Sequence, residues 1–151
     1  MKAGARLRGE RHVNEKTLKV LLRLFGTSSL FALIFVAAPH AWMQEIHLEL
    51  GLGEMPNTPI VWYLARSTSA FYAMLGGLFW LVSFDLRRYR AVVVYLSAAI
   101  TLFGLALFVI DWAEGLPVFW TFWEGPIVTA FGLAMSYLIR KVDSAPASPA
   151  R

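Results

Sequence analysis

The chain has 151 residues, 58% of them hydrophobic and only 16% charged, with a net charge of +4 and a mean hydropathy of +0.56. That balance is too apolar for a soluble domain of ordinary composition and points to lipid as the solvent. Cysteine is absent, which excludes disulfide scaffolding, thiol redox chemistry, iron–sulfur clusters and cysteine-ligated zinc.

In chain order, residues 1–20 read as a basic cytoplasmic arm. Positions 1–12 are expected to be disordered, and Asn14 is a candidate helix N-cap. Lys16, Lys19 and Arg23 follow, on stems long enough to reach headgroups as the helix enters lipid. The first span is expected over 21–38. Val36-Ala37-Ala38 resembles a small-residue cleavage site, but the charged segment before the span is long for a signal peptide, so an uncleaved anchor is expected. In the connection after it, Trp42, Ile46 and Leu50 recur at helical spacing with Glu45 and Glu49 on another side. This predicts a short interfacial helix ending near Gly51 or Gly53. The turn Met55-Pro-Asn-Thr-Pro59 leads into a second span over 60–84. A tight loop, Asp85–Arg90, precedes the third span over 91–112. The turn Asp111–Pro117 precedes the fourth span over 120–139, with the Phe119–Trp123 cluster as an interfacial turn before Pro126. Residues 140–151 read as a disordered cytoplasmic tail rich in Ala, Pro and Ser.

The sign of charge orients these spans. Thirteen of the 14 Lys and Arg lie in the arm and the first residues of the span that follows it, the 85–90 loop and the tail. Six of the ten acids lie in the other two connections or in the ends of the spans that flank them, which contain no Lys or Arg. Basic segments resist translocation, so both termini are expected on the cytoplasmic side, with the interfacial helix in the first outside (periplasmic) connection. The basic segments suit anionic headgroups at about 1 kcal/mol per cation. Nucleic acid is a poor partner, because no basic–aromatic surface module remains outside the spans. Five of the six Trp map to the outer interface as an aromatic belt.

Ala65, Ser69, Ala73 and Gly77 fall at i+4 steps on the second span and predict its packing face, with Gly76 beside it. Ser28 and Ala32, then Ser97, Thr101 and Gly104, then Ala130 and Ala134 are the expected counterparts. Ser67, Thr68 and Ser69 are expected to hydrogen-bond across helices.

Arg66 lies within the second span, where an unpaired cation costs on the order of 3 kcal/mol. Asp111 and Glu124 are its expected partners, and Glu124 is placed at a helix N-terminus before Gly125-Pro126. With Glu114, these residues form the candidate binding site, read either as a structural ion pair or as an outward-facing site for an anion or polar headgroup. His40 and His47 are weak metal candidates, since i, i+7 spacing separates them by about 10.5 Å along one helix. Catalytic motifs are missing: there is no GxSxG, P-loop, GxGxxG or HExxH.

The string Pro59-Ile-Val-Trp-Tyr-Leu-Ala-Arg-Ser67, then Phe84-Asp-Leu-Arg-Arg88, Asp111-Trp-Ala-Glu-Gly-Leu-Pro117 and Glu124-Gly-Pro126, resembles the BphX-like group of small bacterial membrane proteins. More broadly it resembles the DoxX-like four-helix families. The resemblance implies a bacterial four-helix membrane bundle and, through some DoxX-type proteins, a link to quinone redox systems. It supplies no catalytic residue.

The expected fold is therefore an all-α, integral membrane four-helix bundle with one short interfacial helix. The leading functional reading is a non-enzymatic accessory or scaffold subunit with no required cofactor. Its partners would be other membrane proteins or further copies of itself. The alternatives are a small transporter or lipid- or quinone-binding protein using Arg66, Asp111 and Glu124, and a periplasm-facing membrane enzyme.

Overall fold

The computed structural model describes residues 2–144, with side chains for 9–143. Six helices follow in order: α1 (Lys2–Leu30), α2 (Leu33–Ala37), α3 (His40–Glu49), α4 (Pro59–Phe84), α5 (Arg90–Ala113) and α6 (Val118–Ser144). Segments 9–37, 59–84, 90–113 and 118–143 are long and apolar enough to cross a membrane. The chain is thus an all-α four-helix bundle of the multi-pass membrane class.

The boundaries differ from expectation at both ends. The arm is helical from Lys2, so Asn14 lies mid-helix instead of capping one. Ala, Leu, Arg and Glu, abundant there, are strong helix formers, and Glu15 supports the helix through an i,i+4 bond to Lys19 at 2.9 Å. At the other end α6 runs to Ser144, and the rest of the predicted disordered tail lies outside the described residues. Arg90 clamps Asp143 bidentately at 2.9 and 2.7 Å, tying the first turn of α5 to the last of α6.

One break interrupts the first span. At Phe31–Ala32 the backbone bonds shorten to i→i−3, as in Ala32 N to Ser29 O at 3.2 Å. The break follows Gly26-Thr-Ser-Ser29, the kind of small polar run at which helices bend. The predicted interfacial helix is α3. It ends at Gly51, whose φ of 69° places it in the left-handed region, while Leu52 N donates to His47 O at 3.1 Å. Its packed side carries Met43, buried with Ala38 and Trp62, whereas Trp42 and Leu50 stay exposed. The Gln44 amide, turned to satisfy both groups, donates to Met55 O at 3.0 Å and accepts from Met55 N at 3.3 Å.

Close backbone approach builds the bundle from two pairs. α1 crosses α4 at Gly26 and Gly76, where a Cβ on Gly76 would lie 2.6 Å from Gly26 O. α5 lies on α6 through Gly104, Gly125 and Gly132, with Ser97, Thr101 and Thr129 filling the seam. Across it, Ser136 Oγ donates to Ser97 Oγ at 2.9 Å. Without a hydrophobic drive between helices in lipid, such approach is what binds them.

The expected face on α4 therefore needs correction. Ala73 is buried, but Gly77 has nothing within 4 Å of where a Cβ would stand, and Gly76 is the crossing residue. Ala65 is half-buried beside the Ala38 cluster. Ser69 returns its hydroxyl to Ala65 O at 2.8 Å, and Ser67 to Leu64 O at 3.2 Å, so both bond within α4. That back-bonding satisfies a hydroxyl in lipid without a second helix. On α6 the seam residues are glycines and Thr129; Ala130 is exposed.

The two pairs meet where α1 packs on α6. Phe25 stacks on Phe131 at 3.8 Å, and Phe79 meets both rings edge-on at 5.3 and 5.7 Å. Sequence neighbours α4 and α5 make little close backbone contact. Phe79, Val82 and Leu86 share a core with Val93 and Leu96 toward the basic end.

Candidate functional site

Arg66 stands seven residues into α4, about 10 Å along the helix from Pro59. Its Nη2 donates to the carbonyl of Ala38, which caps α2, at 3.1 Å. A cation there satisfies an orphan helix carbonyl. The Nε is buried without a partner, and no ion pair to Arg66 forms among the described residues. The expected pairing with Asp111 or Glu124 is therefore absent. Arg66 faces α2, while both carboxylates belong to the α5–α6 pair.

The Arg66 guanidinium borders an open groove of about 810 Å³ at the acidic end, together with His40, Asn57, Trp62, Tyr63 and Ser67. Its wall is rigid. His40 stacks on Trp62 at 4.0 Å with 5° between the rings, and Trp62 Nε1 donates to Asn57 Oδ1 at 2.9 Å. His47 is engaged elsewhere, its Nδ1 2.8 Å from Gly53 O. The two weak metal candidates thus occupy different surroundings, and no group of three or more His, Cys, Asp or Glu gathers among the described residues.

Glu124 borders a second, smaller space of about 200 Å³ reached by α1, α4, α5 and α6. Phe25, Phe103, Leu107 and Val128 supply apolar surface there, and Tyr72 a hydroxyl. The carboxylate Oε2 accepts from Trp120 Nε1 at 2.6 Å. α6 is continuous from Val118 through Gly125-Pro126, so Glu124 sits inside the helix and not at its N-terminus. Proline is tolerated in a membrane helix where neighbouring groups compensate for the lost bond. Gly125, packed against Gly104 and Phe108, brings α5 to that point. Asp111 is 3% exposed, its Oδ2 buried without a hydrogen bond. Asp111, Glu124 and Tyr72 lie within electrostatic reach of one another. Glu114 is exposed, at the C-cap of α5 beside Gly115.

The four candidate residues thus divide. Arg66 lines the open groove and Glu124 the inner space, while Asp111 and Glu114 line neither. Tyr72 escaped the sequence reading, which placed Trp120 in the aromatic belt and not beside Glu124. The i,i+4 spacing of Trp120 and Glu124 was its one available signal. Of the predicted belt, Trp42, Trp112 and Trp123 are exposed, while Trp62 and Trp120 turn inward to acceptors. Trp80 belongs to the basic end, where it donates to Thr27 and lies 5.2 Å beneath Arg23.

Fold and sites define a small multi-pass membrane protein with two separate polar features of opposite charge. Comparison with protein-family models, curated proteins and solved structures finds no match.

Proposed function

We propose that the chain is a non-enzymatic protein of a bacterial cytoplasmic membrane, with both termini inside, that holds an anionic lipid headgroup in the groove beside Arg66. It would act there as a lipid-binding accessory or carrier protein. The carrying observation is a guanidinium that, among the described residues, has a single hydrogen bond and no carboxylate partner, bordering a groove rimmed by Trp62, Tyr63 and His40. Guanidinium matches phosphate oxygens bidentately, and amphipathic rings suit the headgroup layer. The metal-enzyme reading has less support, because His40 is stacked on Trp62 and His47 faces Gly53 O.

The test is a native mass spectrum of the protein in mild detergent with phosphatidylglycerol. One retained lipid is expected, with about a tenfold loss of affinity in Arg66→Gln, the scale of one charge-assisted contact. Equal retention by the variant would overturn the reading. A second protein at fixed stoichiometry would instead make the chain a subunit. For orientation, a periplasm-active reporter is expected to be silent after Arg88 and active after Gly115. The reverse pattern would invert the topology.

A further inference from the structure

We infer that the inner space beside Glu124 binds a small organic cation with apolar substituents. Four features carry this. The space is bounded by all four spanning segments. It has a carboxylate in its lining but no Lys, Arg or His. Glu124 accepts one hydrogen bond, from Trp120, and Asp111, outside the lining but nearby, is a second acid whose Oδ2 is buried with no hydrogen-bond partner among the described residues. Asp111 stands one turn from Leu107, itself a lining residue, on the same face of α5.

An ionised carboxylate in a low-dielectric interior demands compensation by a proton or a cation. Arg66, the nearest sequence candidate, is committed to Ala38. An inorganic ion fits poorly, because hard cations take six or more oxygen ligands and the walls are mainly hydrocarbon and aromatic. The same walls suit an alkyl- or arylammonium ion. Its charge would meet Glu124 and its substituents Leu107 and Val128, while aromatic faces such as those of Phe103 and Tyr72 attract cations. At about 200 Å³ the space is below the 300–1,000 Å³ usual for drug-sized ligands, which limits the guest to a single ring or short alkyl groups.

Benzyltrimethylammonium is the probe, added to the full chain in mild detergent. Trp120 fluorescence and thermal stability are the readouts, compared with a Trp120→Phe control for the optical signal. Saturable binding is expected, with affinity reduced about ten- to a hundredfold by Glu124→Gln. Val128→Phe, which fills the space without touching the charge, is expected to abolish it. A short-chain quinone serves as the neutral competitor. Equal binding of the ammonium ion to the Gln or Phe variant would overturn the inference, as would stronger binding of the quinone than of the cation. Should Glu124→Gln fail to fold, Val128→Phe decides the location and the competition decides the charge.

Discussion

Gly132→Leu is expected to part α5 from α6 and prevent the bundle from forming, whereas Gly77→Leu leaves it folded. The two glycines are alike in sequence, each within an apolar helix, and opposite in surroundings. A Cβ on Gly132 would strike the Thr101 hydroxyl, lie 2.6 Å from Thr101 N and stand 2.9 Å from Ser97 O. Two of those atoms are backbone of the facing helix, so the helix itself must move. Overpacking a core costs about 1–3 kcal/mol where side chains can yield, and here they cannot. The displacement would also part Ser136 from Ser97. At Gly77 nothing lies within 4 Å, and an Ala there should add roughly 0.5–1 kcal/mol of helix stability. Thermal unfolding in detergent, followed by circular dichroism and size exclusion, separates the cases. Equal melting of the two leucine variants would remove the glycine seam as the basis of α5–α6 packing.

Phe79→Ala should lower stability by about 3 kcal/mol, at the low end of the range for aromatic truncation in cores. Its ring is fully buried and meets Phe25 at 84° and Phe131 at 82°, so three helices converge on it. Lipid lowers the transfer part of the cost, since hydrocarbon surrounds the bundle anyway. What remains is lost dispersion contact and two edge-to-face pairs of about 0.5–1.5 kcal/mol each. Phe71→Ala, on the same helix but 57% exposed, should change stability by no more than about 0.5 kcal/mol. Similar losses in both variants would mean that the triad is not the junction of the helix pairs.

Both results turn on which glycine or phenylalanine faces inward, and there the sequence was weakest. In lipid the outer face of a helix is as apolar as the inner one, so hydrophobic periodicity loses its meaning. Gly76 and Gly77 are adjacent, and a stripe of small residues ran through the wrong one. On α6, alanines stood out at i+4 spacing, yet Gly125, Thr129 and Gly132 make the contact. The arm illustrates a different failure. Its charge suggested disorder, but its residues are good helix formers continuous with the span.

The sequence by itself determined the number of long apolar segments, the turns between them, the short helix after the first and the all-α class. These follow from hydropathy, proline and glycine placement, and local capping, all written within a few residues of where they act. Tertiary structure alone decided that Arg66 reaches Ala38, that Glu124 borders an inner space with Tyr72, and that Asp111 is buried without a hydrogen-bond partner at Oδ2. Those relations depend on how α1 crosses α4 and α5 lies on α6. Such crossings are fixed by backbone contacts at single glycines, and the sequence does not mark which glycine makes them.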